Sequence, residues 1–254
     1  VSQRIVATPR SGFDRDGRVL LGTQSGLLQF RDGRVQPFTP RAGLPADLDV
    51  SSVLQLRDGR LVIGSLAGRL LVEAGGRWHT LGPEQGLPAN SPFFLNEGDL
   101  GDGGAGAGDA WLWIAGIRGI SRVRVSELPR TGDRTTRAVH GEMVLNERGD
   151  PNSGQQGFCC NGAGNSKGFR QGSVLWLPSR DGVVALDIHD IVRNPIPPSL
   201  VIERLRTPDG WRAPPPHAGG LLTLPASDRD LGFEFTALSF QDPASVQLRY
   251  RLRG

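Results

Sequence analysis

The chain has 254 residues, of which 37% are hydrophobic, enough to bury a sizeable core in one or two domains. Its 36 glycines and 19 prolines punctuate the sequence too often for long helices, and no apolar run is long enough to cross a bilayer. The 29 Lys and Arg against 26 Asp and Glu leave a net charge of +3, but Lys167 is the sole lysine and the arginines never form a run of five, which argues against a nucleic-acid partner.

The chain opens at Val1 with neither an initiator Met nor a signal-peptide pattern, so targeting information is expected outside it. The first apolar run, at 18–23, follows Asp16-Gly17 and is followed by Gly26. Asp14-Arg15-Asp16-Gly17 has the look of a calcium loop, but no bidentate Glu arrives at its twelfth position, and a hairpin turn is the simpler reading. The same octet returns as Asp58-Gly59-Arg60-Leu61-Val62-Ile63-Gly64-Ser65, again followed by Gly68. Gly43-Leu44-Pro45 likewise returns as Gly86-Leu87-Pro88. A third copy is Trp111-Leu112-Trp113-Ile114-Ala115 with Gly119-Ile120, and a fourth is Val174-Leu175-Trp176-Leu177-Pro178 with Asp181-Gly182-Val183-Val184.

Each copy reads as a β-meander. Asp-Gly pairs at 16–17, 32–33, 58–59 and 181–182 separate apolar runs of four to six residues, and Gly at positive φ makes the tight turns that match strand twist. Runs this short and rich in Leu, Val, Ile and Trp suit strands buried on both faces. Small residues after the runs (Gly22, Gly64, Ala115) suit close packing between sheets. A repeat of about 40–45 residues with four short strands predicts propeller blades. They fall at 3–40, 50–83, 91–140 (swollen by 98–109) and 155–188, the last following a long insertion from Gly141. Further blades are expected before Val1, and alone this stretch is expected to leave an apolar face open.

Gly101-Asp102-Gly103-Gly104-Ala105-Gly106 matches a dinucleotide fingerprint in letters alone, because it leads into a strand and not a helix. The glycines around Lys167 lack the Gly-Lys-Ser/Thr of a phosphate loop. His79, His140, His189 and His217 are isolated, none at metal-pair spacing, and no nucleophile elbow is present. No catalytic, cofactor or metal site is therefore predicted. Cys159-Cys160 reads as two free thiols, with a vicinal disulfide as the alternative, since neighbouring Cα atoms sit about 3.8 Å apart and bridging them requires a distorted peptide. The insertion from Gly141 to Gly172 is the candidate functional surface. Asn161, Asn165, Lys167 and Arg170 are its candidate contacts to a polar small molecule or glycan, with Arg118 and Arg180 at equivalent places before the blade glycines.

The first domain is placed at 1–190, a Pro-rich linker at 191–198 and a second domain at 199–254. Strand-like runs at 200–205, 221–224, 231–240 and 246–252 predict the N-terminal part of an antiparallel sandwich. The fold class expected is all-β: a partial β-propeller of three to four blades of four-stranded antiparallel sheets, then a truncated Ig-like β-sandwich.

The blades resemble the bacterial two-component-regulator propeller repeat, roughly D-G-x-L-W-[IV]-G-T-x-x-G-[IL] followed by G-L-P; 61–68 with Gly86-Leu87-Pro88, 18–26 and 111–119 carry the likeness. Residues 231–240, Asp242-Pro243 and Tyr250-Arg251-Leu252-Arg253-Gly254 are similar to the opening of the Y_Y_Y domain that follows such propellers. Pro178 departs from the repeat's Gly, and Tyr250 is the one tyrosine of that domain inside the chain. The resemblance implies the periplasmic sensor of an inner-membrane signalling protein, homodimeric and anchored by a segment outside this chain. The stretch 158–169 is similar to members whose output is a GGDEF diguanylate cyclase, and members with a hybrid histidine kinase are the alternative. Readings of another class are a propeller hydrolase or lyase, which needs Asp, Glu or His repeated at one blade position, and an interaction scaffold.

Overall fold

A computed structural model of the chain describes residues 10–13, 18–38, 44–45, 48–98, 110–146, 168–179, 182–191, 198–214, 230–238, 246 and 248. The chain divides into two compact units, Val1–Ile191 and Val192–Gly254. Among the described residues every regular element is a strand, apart from two single-turn 3-10 helices at Pro83–Gln85 and Val125–Glu127.

The first unit contains four antiparallel meanders. The first comprises β1 (Arg10–Phe13), β2 (Val19–Thr23), β3 (Gly26–Arg31) and β4 (Arg34–Pro37). The second comprises β5 (Val50–Gln55), β6 (Leu61–Ser65), β7 (Arg69–Ala74) and β8 (Arg77–Leu81). The third comprises β9 (Pro92–Gly98), β10 (Trp111–Gly116), β11 (Gly119–Arg124) and β12 (Glu142–Asn146). In the fourth, β13 (Phe169–Gln171), β14 (Val174–Pro178) and β15 (Val183–Asp187) are described. First strands neighbour one another, β1 beside β5 and β5 beside β9, as the inner strands of successive blades do.

Alternation along the strands explains the stacking, because residues two apart share a face of the sheet. Leu20 and Leu27 of the first sheet meet Leu61, Ile63, Leu71 and Trp78 of the second. The other face of the second sheet offers Val62, Leu70 and Val72 to Leu112, Ile114 and Val123 of the third. The third then turns Trp111, Trp113 and Ile120 towards Leu175 and Leu177 of the fourth. The runs of β6 and β10 are thus buried on both sides and those of β2 and β14 on one, and each fully buried side chain contributes about 1.5–3 kcal/mol. The arrangement is a partial β-propeller.

Turn chemistry sets the spacing. The glycine closing the hairpin between the second and third strands has positive φ in all four sheets: Gly26 at 116°, Gly68 at 76°, Gly119 at 127° and Gly182 at 150°. Gly64 keeps two sheets close, since a Cβ there would lie 2.8 Å from the Pro92 Cβ. Ser52 Oγ beside it donates to the Pro92 carbonyl at 2.9 Å.

Two expectations shift. The sequence pattern ends the third blade at 140 and opens a structureless insertion at Gly141, but Glu142–Asn146 is the outer strand of the third sheet. Half-buried Val144 and Leu145 pack against the Trp113 cluster, and this pays for the strand despite its weak pattern. Arg170 belongs to β13 and not to a loop. As expected of an open stack, both outermost faces expose apolar side chains: Phe30 (44%) and Val35 (46%) on the first sheet, Phe169 (58%) and Val183 (67%) on the fourth.

The second unit contains one described sheet, with β16 (Ser199–Thr207) central between β17 (Gly210–Arg212) and β18 (Gly232–Leu238). Leu200 and Ile202 pair with Ala237 and Phe235 on its apolar face. The other face carries an ion pair from Arg204 to Glu234 at 2.6 Å and a hydrogen bond from Thr236 to Glu203 at 2.6 Å. Such two-sidedness suits one layer of a sandwich. The strand-like run at 221–224 lies outside the described residues, as does nearly all of 246–252.

Candidate ligand-binding seam between the third and fourth sheets

Of the candidate contacts read from the sequence, Arg118 and Arg170 lie among the described residues, whereas Asn161, Asn165, Lys167 and Arg180, like Cys159 and Cys160, lie outside them. Arg118 is exposed in the turn between β10 and β11, where its backbone N–H donates to Asn90 Oδ1 at 3.1 Å. Asn90 Nδ2 donates in turn to the Gly119 carbonyl at 3.0 Å, so this asparagine fixes the turn. Arg170 sits against the opposite end of β10, beside Gly98, which pairs with Trp111. Trp111 and Gly116 are five residues apart, about 17 Å at strand rise. The two arginines therefore do not share a site.

The Arg170 end is the chemically richer one. A row of side chains crosses the third sheet on the face towards the fourth, Asn96 pairing with Trp113, Trp113 with Arg122 and Arg122 with Glu142. The adjoining row is Gly98, Trp111 and Arg124. The Arg122 side chain is 1% exposed and its Nε is 2.9 Å from Glu142 Oε2. Its guanidinium carbon lies 4.2 Å from the Trp111 ring centre and 5.3 Å from that of Trp113. Arg124 approaches Trp111 likewise, at 4.5 Å. Burying a guanidinium costs several kcal/mol, and the half-exposed carboxylate and two indole faces offset much of it.

Arg170 approaches this row from the fourth sheet. It pairs with Leu175, whose side chain faces the third sheet, so Arg170 faces the third sheet too. Its Nε donates to the Gly172 carbonyl at 2.8 Å, which fixes the plane of the guanidinium. The guanidinium fills the place where Gly98 lacks a side chain, its Cζ 3.0 Å from the position a Cβ would occupy. Asn96 Oδ1 is 3.6 Å from that same point. This oxygen is buried and has no hydrogen-bond partner among the described residues. Among the described residues no group of His, Cys, Asp and Glu is placed to hold a metal ion, and no helix is long and apolar enough to cross a membrane.

Sequence reasoning found Arg170 but missed Asn96, Trp111, Trp113, Arg122, Arg124 and Glu142. A usable signal existed: Trp111-Leu112-Trp113 and Arg122-Val123-Arg124 both alternate, so two arginines had to share a face with two tryptophans once β10 and β11 paired.

No protein-family model and no curated protein matches the chain. Among solved structures, the chain is similar to the extracellular domain of a protein assigned to a hybrid two-component system of B. thetaiotaomicron, with a TM-score of 0.53 and 15% identity. The match takes in 93% of this chain and 30% of that one, so the chain spans less than a third of its length. At this identity the likeness concerns the fold.

Proposed function

We propose that this chain is a stretch of the extracytoplasmic sensing region of a membrane-anchored bacterial signalling protein, non-catalytic in itself, in which the propeller binds a ligand and the following domain relays the change inward. The observation that carries the reading is the seam between the third and fourth sheets. Its arginines lie against indoles and one carboxylate, and Arg170 reaches from the fourth sheet to Gly98 of the third, whereas the other seams are centred on apolar clusters. The similarity in fold to an extracellular domain assigned to a hybrid two-component system supports the same reading.

The output is a GGDEF diguanylate cyclase in the reading that rests on 158–169. The structural neighbour's assignment to a hybrid two-component system favours the second reading, a hybrid histidine kinase. In either, the protein works as a homodimer in the inner membrane, and ligand acts by preferring one of two arrangements of the dimer. A change from 1:99 to 99:1 requires about 10⁴-fold preference between the two. The test is the full-length protein in membranes, assayed for cyclic dinucleotide synthesis and for autophosphorylation as candidate ligands are added. Ligand-dependent output of either kind upholds the sensing role and selects between the two readings. An unresponsive output, with ligand bound to the propeller, removes it and favours a scaffold.

A further inference from the structure

We draw no further inference here: the strongest candidate, the apolar face that the fourth sheet turns away from the third, where exposed Phe169 stacks on Trp176 beside exposed Val183, carries nothing because nothing among the described residues shows what covers it.

Discussion

The seam between the second and third sheets and the seam between the third and fourth are built on the same strand positions and filled by different chemistry. In the former, Val62, Leu70 and Val72 meet Leu112, Ile114 and Val123, and the polar contacts across it are fixed to backbone. Arg60 donates to the carbonyls of Val125 at 3.0 Å, Leu128 at 3.1 Å and Pro129 at 2.8 Å, while Asp58 Oδ2 accepts from its Nε at 2.8 Å. That arginine ties down a turn. In the latter seam the arginines lie against indoles and one carboxylate, and Arg170 reaches across to a glycine. An apolar seam costs nothing to desolvate. A polar one does, and its persistence at an accessible edge suits binding better than it suits holding the sheets together.

Substitutions that should break or sharpen this contrast differ in size. Leu112→Ala, in the apolar seam, should be the most damaging, at about 3–4 kcal/mol by urea denaturation, because Leu112 is fully buried and a cavity would remain. Arg60→Met should follow at about 2–3 kcal/mol, since three partly buried carbonyls lose a charged donor. Glu142→Gln removes the carboxylate beside buried Arg122 and should cost about 1–2 kcal/mol, less than in a fully buried pair because Glu142 is itself 43% exposed. Equal losses for Arg60→Met and Glu142→Gln would erase the distinction between a guanidinium tied to backbone carbonyls and one resting on a side-chain carboxylate.

The smallest effect is one of pH. The Asp187 carboxyl is held below the usual range, first by the His189 backbone N–H, with Ser173 Oγ–H and the nearby His189 helping and burial opposing. A depressed folded-state pKa contributes stability above the unfolded pKa and loses it as pH falls through the folded one. The contribution is therefore complete at neutral pH and should disappear below about pH 4. Melting temperatures of wild type and Asp187→Asn, followed from neutral to acid, should converge at the acid end and separate at the neutral end. Curves that run parallel throughout would remove the assignment.

Much of the fold was legible because it is written in local terms. The Asp-Gly turns, the repeat spacing and the two-sided apolar runs at 60–65 and 111–115 locate β6 and β10, and period-two alternation says which neighbour each side chain meets. Strand β12 escaped because Glu142-Met143-Val144-Leu145 lies after a long irregular stretch, and its pairing with β11 and packing against the Trp113 cluster are visible only in three dimensions. The site was half legible. Arg170 stood out by type, but Asn96 and Gly98 matter through their pairing with Trp113 and Trp111 across an intervening insertion, which no spacing rule reveals.

The claim that the two seams do different work is tested most directly by urea unfolding of Arg170→Met beside Arg60→Met. Arg170→Met should unfold within about 0.5 kcal/mol of wild type, as a residue kept for contact with a ligand would, while Arg60→Met loses about 2 kcal/mol or more. If Arg170→Met costs as much as Arg60→Met, the third and fourth sheets are stapled as the second and third are, and the binding role of that seam is contradicted.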